Sequence, residues 1–405
     1  MAVIVQKYGG SSVADTDKIM NVARRVVQTV QEGHRVVVVV SAQGKTTDSL
    51  IEQSRAISAN PPKRELDMLL ATGEQMSIAL LAMAIDSLGQ PVISLTGAQG
   101  GIMTDTQHTK ARIREVDGGR ICSELAQGQV VIVAGFQGVT NANDITTLGR
   151  GGSDTTAVAV AAALQAEVCE IYTDVEGVYS ADPRLVSDAV KLDEVDYDEM
   201  LELASLGAMV LQPRAVEVAS VYGVPIHVRS SFSAERGTMI KEVNVVEREV
   251  SVTGVAYDEN CAKITLAGIP TDISALHNVF SSLAAEGVNV DMIVQAGTST
   301  PTADLTFTVA REELDTALAV ITRIQNDQSW KVVCDEDVAK VSIVGAGMMT
   351  NPGVAARMFE ALSEEKIPVY VVSTSEIKVS CLVPRSRYQD AVRACHRKFE
   401  LDLGN

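Results

Sequence analysis

The stretch TLGRGGSD, Thr147 to Asp154, runs without interruption into the alanine-rich segment TTAVAVAAA, residues 155–163. Glycines at 149, 151 and 152 free the backbone to turn with its N–H groups outward, and Ser153 is placed to cap the helix that the alanines propagate. A glycine-rich turn feeding a helix N-terminus gathers positive partial charge, which suits a phosphoryl group or a carboxylate. Arg150 adds a guanidinium fork matched to a carboxylate. Asp154 adds a negative charge, awkward for holding an anion but useful for organising one that reacts. The same residues also describe an ordinary glycine turn with a capped helix.

Around this turn, strand-like and helix-like segments alternate. Val3 to Val5 reads as a short strand leading into Lys7-Tyr8-Gly9-Gly10-Ser11-Ser12. There a compact cation and bare amides can meet bound phosphates, or the lysine is simply solvated in a turn. An amphipathic helix over about 16–31 precedes the strand Arg35 to Ser41, whose five consecutive valines, 36–40, imply burial on both faces and a central parallel position. Gly44-Lys45-Thr46 looks like the end of a Walker P-loop, but Val39 stands where that pattern needs glycine. Ser41 and Thr47 lie at the carboxyl end of this strand, where open α/β sheets keep their substrate loops, although lone hydroxyls commonly cap helices. Glu74, in ATGEQMS, interrupts an apolar helix face, either as a solvated exception or as a receptor for a substrate ammonium. Strands at 91–95, 130–134, 168–172 and 225–229, with helices near 197–206 and 213–222, complete an α/β pattern with a mostly parallel sheet. The loop Tyr179-Ser180-Ala181-Asp182-Pro183-Arg184 offers a ring, a rigid proline and an arginine suited to a nucleotide base and its phosphates.

Residues 230–250 lose the regular pattern, and the domain boundary is placed there. An internal repeat follows: Ala262-Lys263-Ile264-Thr265-Leu266 returns as Ala339-Lys340-Val341-Ser342-Ile343, and Phe280-Ser281-Ser282-Leu283 as Phe359-Glu360-Ala361-Leu362. Two small α+β units therefore stand in tandem. Polar groups gather at Asn289, Asp291 and Gln295 in the first copy, and in Asn351-Pro352-Gly353-Val354-Ala355 and Ser373-Thr374-Ser375-Glu376 in the second. They suit amino-acid binding, though caps and turns account for each one singly. A formal net charge of -18 over 405 residues leaves no basic stripe for nucleic acid. Six cysteines without a C-x-x-C pair suit a reducing cytoplasm, and neither a leader nor an apolar run approaching a membrane span is read in the sequence.

In this order, KYGGSSV, SAQGKTTD, ATGEQMS, GFQG, TLGRGGSD, YTDVEGVYSADPR and STSEI resemble the bacterial aspartate kinases across nearly the whole chain. The resemblance implies an α/β fold, with an amino-acid-kinase three-layer α/β/α sandwich over 1–245 and tandem ferredoxin-like ACT domains over 250–330 and 331–405. It implies phosphoryl transfer from Mg-ATP to the side-chain carboxylate of L-aspartate, giving 4-phospho-L-aspartate for lysine, threonine and methionine biosynthesis. Lys7 and Asp154 are then catalytic, with Mg²⁺ arriving with ATP rather than in a dedicated site. Ser41, Thr47, Glu74, Phe136, Arg150 and Ser153 line the aspartate pocket. Lys7, Gly9, Gly10, Thr173, Asp174, Tyr179, Asp182, Pro183 and Arg184 hold ATP. Lysine, threonine or both inhibit through Asn289, Asp291, Gln295, Val354, Ala355, Ser375 and Glu376. The assembly expected is a homo-oligomer through the ACT domains, with or without a shorter ACT-only subunit.

Two positions depart from the family. Met209 stands where such kinases commonly place a lysine, and Ile367-Pro368-Val369-Tyr370 replaces an asparagine-containing strand start, Pro368 removing a backbone donor. Two rival readings remain: a related kinase for another carboxylate acceptor, and a non-catalytic amino-acid sensor. An acetylated acceptor would leave Glu74 without its cation. The sensor reading conflicts with the presence of Lys7, Glu74, Arg150 and Asp154 together.

Overall fold

A computed structural model of the chain describes residues 2–207, 210–243, 252–296, 301–325, 330–349 and 351–403. The boundary expected between 245 and 250 and the departure at Met209 fall outside them. The chain clusters into two compact units, Met1–Val178 with Lys191–Ser205 and Met209–Val245, and Tyr179–Val190 with Leu206–Ala208 and Val246–Asn405.

The first unit is built on an eight-stranded sheet. Its strands run in the order Glu194–Val195, Thr238–Ile240, Ile226–Ser230, Val168–Thr173, Val3–Tyr8, Arg35–Val40, Val130–Ala134, Val92–Leu95. Every neighbouring pair is parallel except Ile226–Ser230 with Thr238–Ile240. The valine strand lies centrally, as its burial pattern requires. Val36, Val38 and Val40 join the core formed with helices Thr16–Gln31 and Lys63–Ser87, while Val37 and Val39 are equally buried on the opposite face. Helix Gly152–Ala163 packs against strands Val3–Tyr8, Arg35–Val40 and Val168–Thr173 and against helix Pro213–Tyr222. Helix Lys63–Ser87 is long and apolar enough to cross a bilayer by length and composition, but half of its most apolar window is buried, and Ile78, Leu81 and Ile85 sit in the core. A smaller sheet, in the order Ile113–Val116, Ile102–Thr104, Gln137–Val139, Ile145–Thr147, delivers the chain to the glycine turn.

In the second unit the repeat becomes two four-stranded sheets. Its recurring blocks form the strands Cys261–Pro270 and Val338–Val344, followed by helices Ile273–Ala285 and Val354–Glu364. Strand Lys331–Asp335 pairs with Cys261–Pro270, and Gly254–Asp258 pairs with Val338–Val344. Each sheet thus takes one strand from the range expected for the other copy, Lys331–Asp335 from 331–405 and Gly254–Asp258 from 250–330, which the repeat alone does not reveal. Residues 179–190 also fold with this unit. Ala181 and Val186 enter its core beside Val341, Met358 and Leu362, the Val255 amide donates to the Ser180 carbonyl at 2.8 Å, and Ser180 Oγ lies 3.0 Å from His396 Nε2.

Candidate active site

The first strand continues to Tyr8, beyond the three residues expected, so Lys7 lies inside it. Strand alternation puts Gln6 and Tyr8 on one face and Lys7 on the other, toward helix Gly152–Ala163. There its Nζ stands 2.6 Å from Asp154 Oδ1, with both side chains 11% exposed. The contact is an ion pair between two nearly buried groups. The pair sits beside the carboxyl ends of strands Val3–Tyr8 and Val168–Thr173, where the sequence order reverses across the sheet, the usual ligand crevice of open α/β folds.

The turn needs its glycines for more than flexibility. Gly151 has φ +66°, and a Cβ there would fall 1.7 Å from Gln212 Cγ. The helix begins at Gly152 with Gly151 as its cap residue, and no side chain accepts from its first amides. Ser153 is therefore not the cap the sequence suggests. It lies within the first turn, 7% exposed, packed so closely under Gly135 that a Cβ on Gly135 would meet its Cβ at 2.8 Å. The helix N-terminus lacks a side-chain cap where an anion would profit from it.

Glu74 is 2% exposed, so the reading of it as a solvated exception fails. The Ala42 amide donates to Oε1 at 3.0 Å, while Oε2 has no partner. Burial pushes this carboxyl up to about 7, against the smaller opposing effect of the Ala42 hydrogen bond. The loop carrying Ala42 approaches the first strand's glycines, since a Cβ on Gly10 would meet the Ala42 carbonyl oxygen at 2.6 Å. Ser41 follows the valine strand, which ends at Val40 rather than at Ser41 as expected; its amide donates to the Tyr8 carbonyl, and half-buried Thr47 lies in the first turn of helix Thr46–Ile57. Phe136 holds a left-handed φ of +66°, with its amide donating to Thr156 Oγ1 and its carbonyl accepting from the Leu148 amide. Arg150 is exposed at the tip of the turn with no hydrogen-bond or ion-pair partner among the described residues.

Of the nucleotide residues, the Gly9 amide is engaged with the Tyr172 carbonyl at 3.4 Å, and Thr173 Oγ1 donates to Asp174 at the end of its strand. Tyr179, Asp182, Pro183 and Arg184 belong to the second unit. Arg184 folds back on Asp182, with Nη2 to Oδ2 at 2.7 Å, and Tyr257 donates to the same carboxylate, which lowers the Asp182 carboxyl and raises the guanidinium. Asn289, Gln295, Ser375 and Glu376 are exposed, as is Asp291, which is paired with Lys340. Val354 is buried in the core with Ala355 packed against it, leaving the backbone after Gly353, at φ +100°, as what that corner can offer.

Sequence reasoning missed the residues that hold the turn. Asp67, fully buried, accepts from Thr147 Oγ1 at 2.5 Å. Arg214 donates to the carbonyls of Leu148 at 2.8 Å and Ala111 at 3.1 Å. A signal existed for Asp67: it lies two helical turns before Glu74 on the same buried face.

A profile of the amino acid kinase family matches residues 2–230, and an ACT domain profile matches residues 341–399. The chain is 51% identical over 402 residues to an aspartokinase of Bacillus sp. (strain MGA3), covering 99% of this chain and 98% of that one. Its structure is similar to that of E. coli aspartokinase III in complex with aspartate and ADP, at TM-score 0.82 and 26% identity over 98% of this chain and 99% of that one. It is also similar to the same enzyme in complex with lysine and aspartate, at TM-score 0.76 and 25% identity over the same shares. The chain belongs to the aspartokinase family, with an amino acid kinase fold and a C-terminal ACT domain, and its activity is that of an aspartate kinase.

Proposed function

We propose that the chain transfers the γ-phosphoryl group of Mg-ATP to the side-chain carboxylate of L-aspartate, giving 4-phospho-L-aspartate and ADP as the entry to lysine, threonine and methionine biosynthesis. The observation that carries the site assignment is the Lys7–Asp154 pair at the uncapped start of helix Gly152–Ala163. Glu74 receives the substrate ammonium on its unpartnered Oε2, and Arg150 pairs with a carboxylate. Ser41, Thr47, Phe136 and Ser153 complete the pocket. A carboxylate oxygen attacks the γ-phosphorus, the bond to the β,γ-bridging oxygen breaks, and ADP leaves with that electron pair. No proton is transferred, because the acceptor is already ionised at neutral pH. Asp154 therefore orients Lys7 rather than acting as a base, and Lys7 neutralises charge on the transferring group. Mg²⁺ accompanying ATP would supply further charge neutralisation, and the Asp154 carboxylate beside Lys7 is chemically suited to face a cation. Gly9, Gly10, Thr173 and Asp174 serve the nucleotide, while Tyr179, Asp182, Pro183 and Arg184 are carried by the resemblance alone.

Feedback by lysine, threonine or both, through Asn289, Asp291, Gln295, Val354, Ala355, Ser375 and Glu376, completes the reading. It is supported by the ACT match and by the lysine complex of the E. coli enzyme. An ACT-mediated homo-oligomer, with or without an ACT-only subunit, and a cytoplasmic location belong to the same proposal, the last in keeping with six free cysteines. Acyl phosphate formed from Mg-ATP and aspartate is trapped with hydroxylamine, with and without lysine plus threonine. Aspartate-dependent hydroxamate that falls with the effectors is expected. Product with glutamate alone would refute the acceptor assignment, and indifference to both effectors would refute the feedback.

A further inference from the structure

Asp67 does no chemistry in the reaction above, yet it is fully buried and collects contacts from three residues in two segments. His108 Nδ1 lies 2.7 Å from Oδ2. The Thr109 amide donates to both oxygens, at 3.1 and 3.0 Å. Thr147 Oγ1 donates to Oδ1 at 2.5 Å. Thr147 is the last residue of the strand that enters the glycine turn, and Glu74 stands two helical turns beyond Asp67 on the same face. The 108–111 segment lies directly against the turn: the Thr109 carbonyl would be 3.2 Å from a Cβ on Gly149, and the Ala111 amide donates to the Thr147 carbonyl at 2.9 Å. Thr109 itself sits at φ +71°, a costly conformation for a β-branched residue, and its amide hydrogen bonds to Asp67 offset that cost.

We infer that Asp67 is a positioning residue: through Thr147 and the 108–109 backbone, it fixes the distance between Glu74, which receives the acceptor's ammonium, and Arg150, which receives a carboxylate. The inference rests on the acceptor pocket proposed above. A buried carboxylate held by three groups through four contacts tolerates little displacement, because each lost bond leaves a buried polar group unpaired. Arg150 has no hydrogen-bond or ion-pair partner among the described residues, so its place is set by the turn that Thr147 begins. Among the described residues, the hydrogen bonds of the Asp67 carboxylate go to His108, Thr109 and Thr147, and none goes to Lys7 or the ends of strands Val3–Tyr8 and Val168–Thr173.

The test compares kcat, the KM values for aspartate and ATP, and Tm for the full chain and for the Asp67→Asn, Thr147→Val and Thr147→Ser variants. Asp67→Asn and Thr147→Val are expected to raise the aspartate KM about ten-fold, about 1.4 kcal/mol. Both variants are expected to keep kcat and the ATP KM within about two-fold of the parent. Thr147→Ser, which keeps the hydroxyl, should restore the parental aspartate KM. Equal rises in both KM values, or a lower Tm with an unchanged aspartate KM, would overturn the inference and leave Asp67 a purely structural residue. If Asp67→Asn fails to fold, Thr147→Val, which deletes one hydrogen bond, decides alone. A parent chain that releases no ADP with aspartate refutes the acceptor pocket and this inference with it, whereas an active parent with unmoved variants refutes the inference only.

Discussion

Glu74 and Asp291 are both carboxylates proposed to meet an amino acid, one as substrate and one as effector, and the fold treats them in opposite ways. Glu74 is 2% exposed, with one oxygen unpartnered and its carboxyl pushed up to about 7. Asp291 is exposed and already carries an ammonium, that of Lys340, a residue itself 4% exposed and 3.9 Å from Asp258. At the first, an arriving cation would offset the burial that disfavours the ionised carboxyl. At the second, an effector received by Asp291 would have to displace the Lys340 ammonium. The repeat sharpens the contrast. Lys263, the counterpart of Lys340, lies 4.8 Å from the ring centroid of Tyr370, and Tyr370 stands as far beyond Phe359 as Asp291 stands beyond Phe280. One copy thus presents a carboxylate and the other an aromatic ring at matching positions. Pro368 stands where the first copy has Asn289. A charged effector recognised by a carboxylate therefore favours the first copy.

The largest effect that bears on this comparison is expected at the residues the acceptor site serves. Lys7→Ala should lower kcat by about a thousand-fold or more, since it removes charge stabilisation from the transition state. It should leave the effector-induced shift in Tm intact. A loss of that shift would mean that the two sites are not separate in function.

Next in size, Glu74→Gln should raise the aspartate KM about a hundred-fold with a smaller change in kcat, read by steady-state kinetics. Because the Glu74 carboxyl titrates near 7, the aspartate KM of the parent should rise about ten-fold from pH 8 to pH 6. The variant should lose that dependence. In stability the sign is opposite to that of a paired carboxylate. With its folded value raised above 4.5, this group's contribution is full below 4.5 and is lost as pH rises through about 7. Glu74→Gln should accordingly raise the Tm of the ligand-free protein at pH 8, and an unchanged or lower Tm would contradict the burial argument.

The smallest effect concerns the internal cation. Lys340→Met should free Asp291 and lower the effector concentration for half-inhibition by about five- to ten-fold, while Lys263→Met should change it less than two-fold. Equal responses would erase the asymmetry between the two copies.

The period-two and period-3.6 patterns sufficed for most of the architecture. The valine run became the central parallel strand, the 16–31 pattern became helix Thr16–Gln31, and the recurring AKITL and AKVSI blocks became equivalent strands. These features depend on neighbours in sequence, where periodicity and burial are directly linked. The charged constellation was legible too, because Lys7, Glu74, Arg150 and Asp154 stand in short motifs whose chemistry is local. What the sequence could not supply were pairings made across long separations. The Lys7–Asp154 contact, the Asp67–Thr147 bond and the Arg214 clamp on Leu148 each join residues that no local pattern relates. The same holds for the strands exchanged between the ACT sheets and for the 179–190 segment, whose Ala181 and Val186 are buried in the second unit's core. Ser153 marks the boundary between the two kinds of knowledge. Its place beside a helix start was readable, but whether it capped that start or was buried beneath Gly135 depended on how closely two distant backbones approach, and only the packed fold fixes that distance.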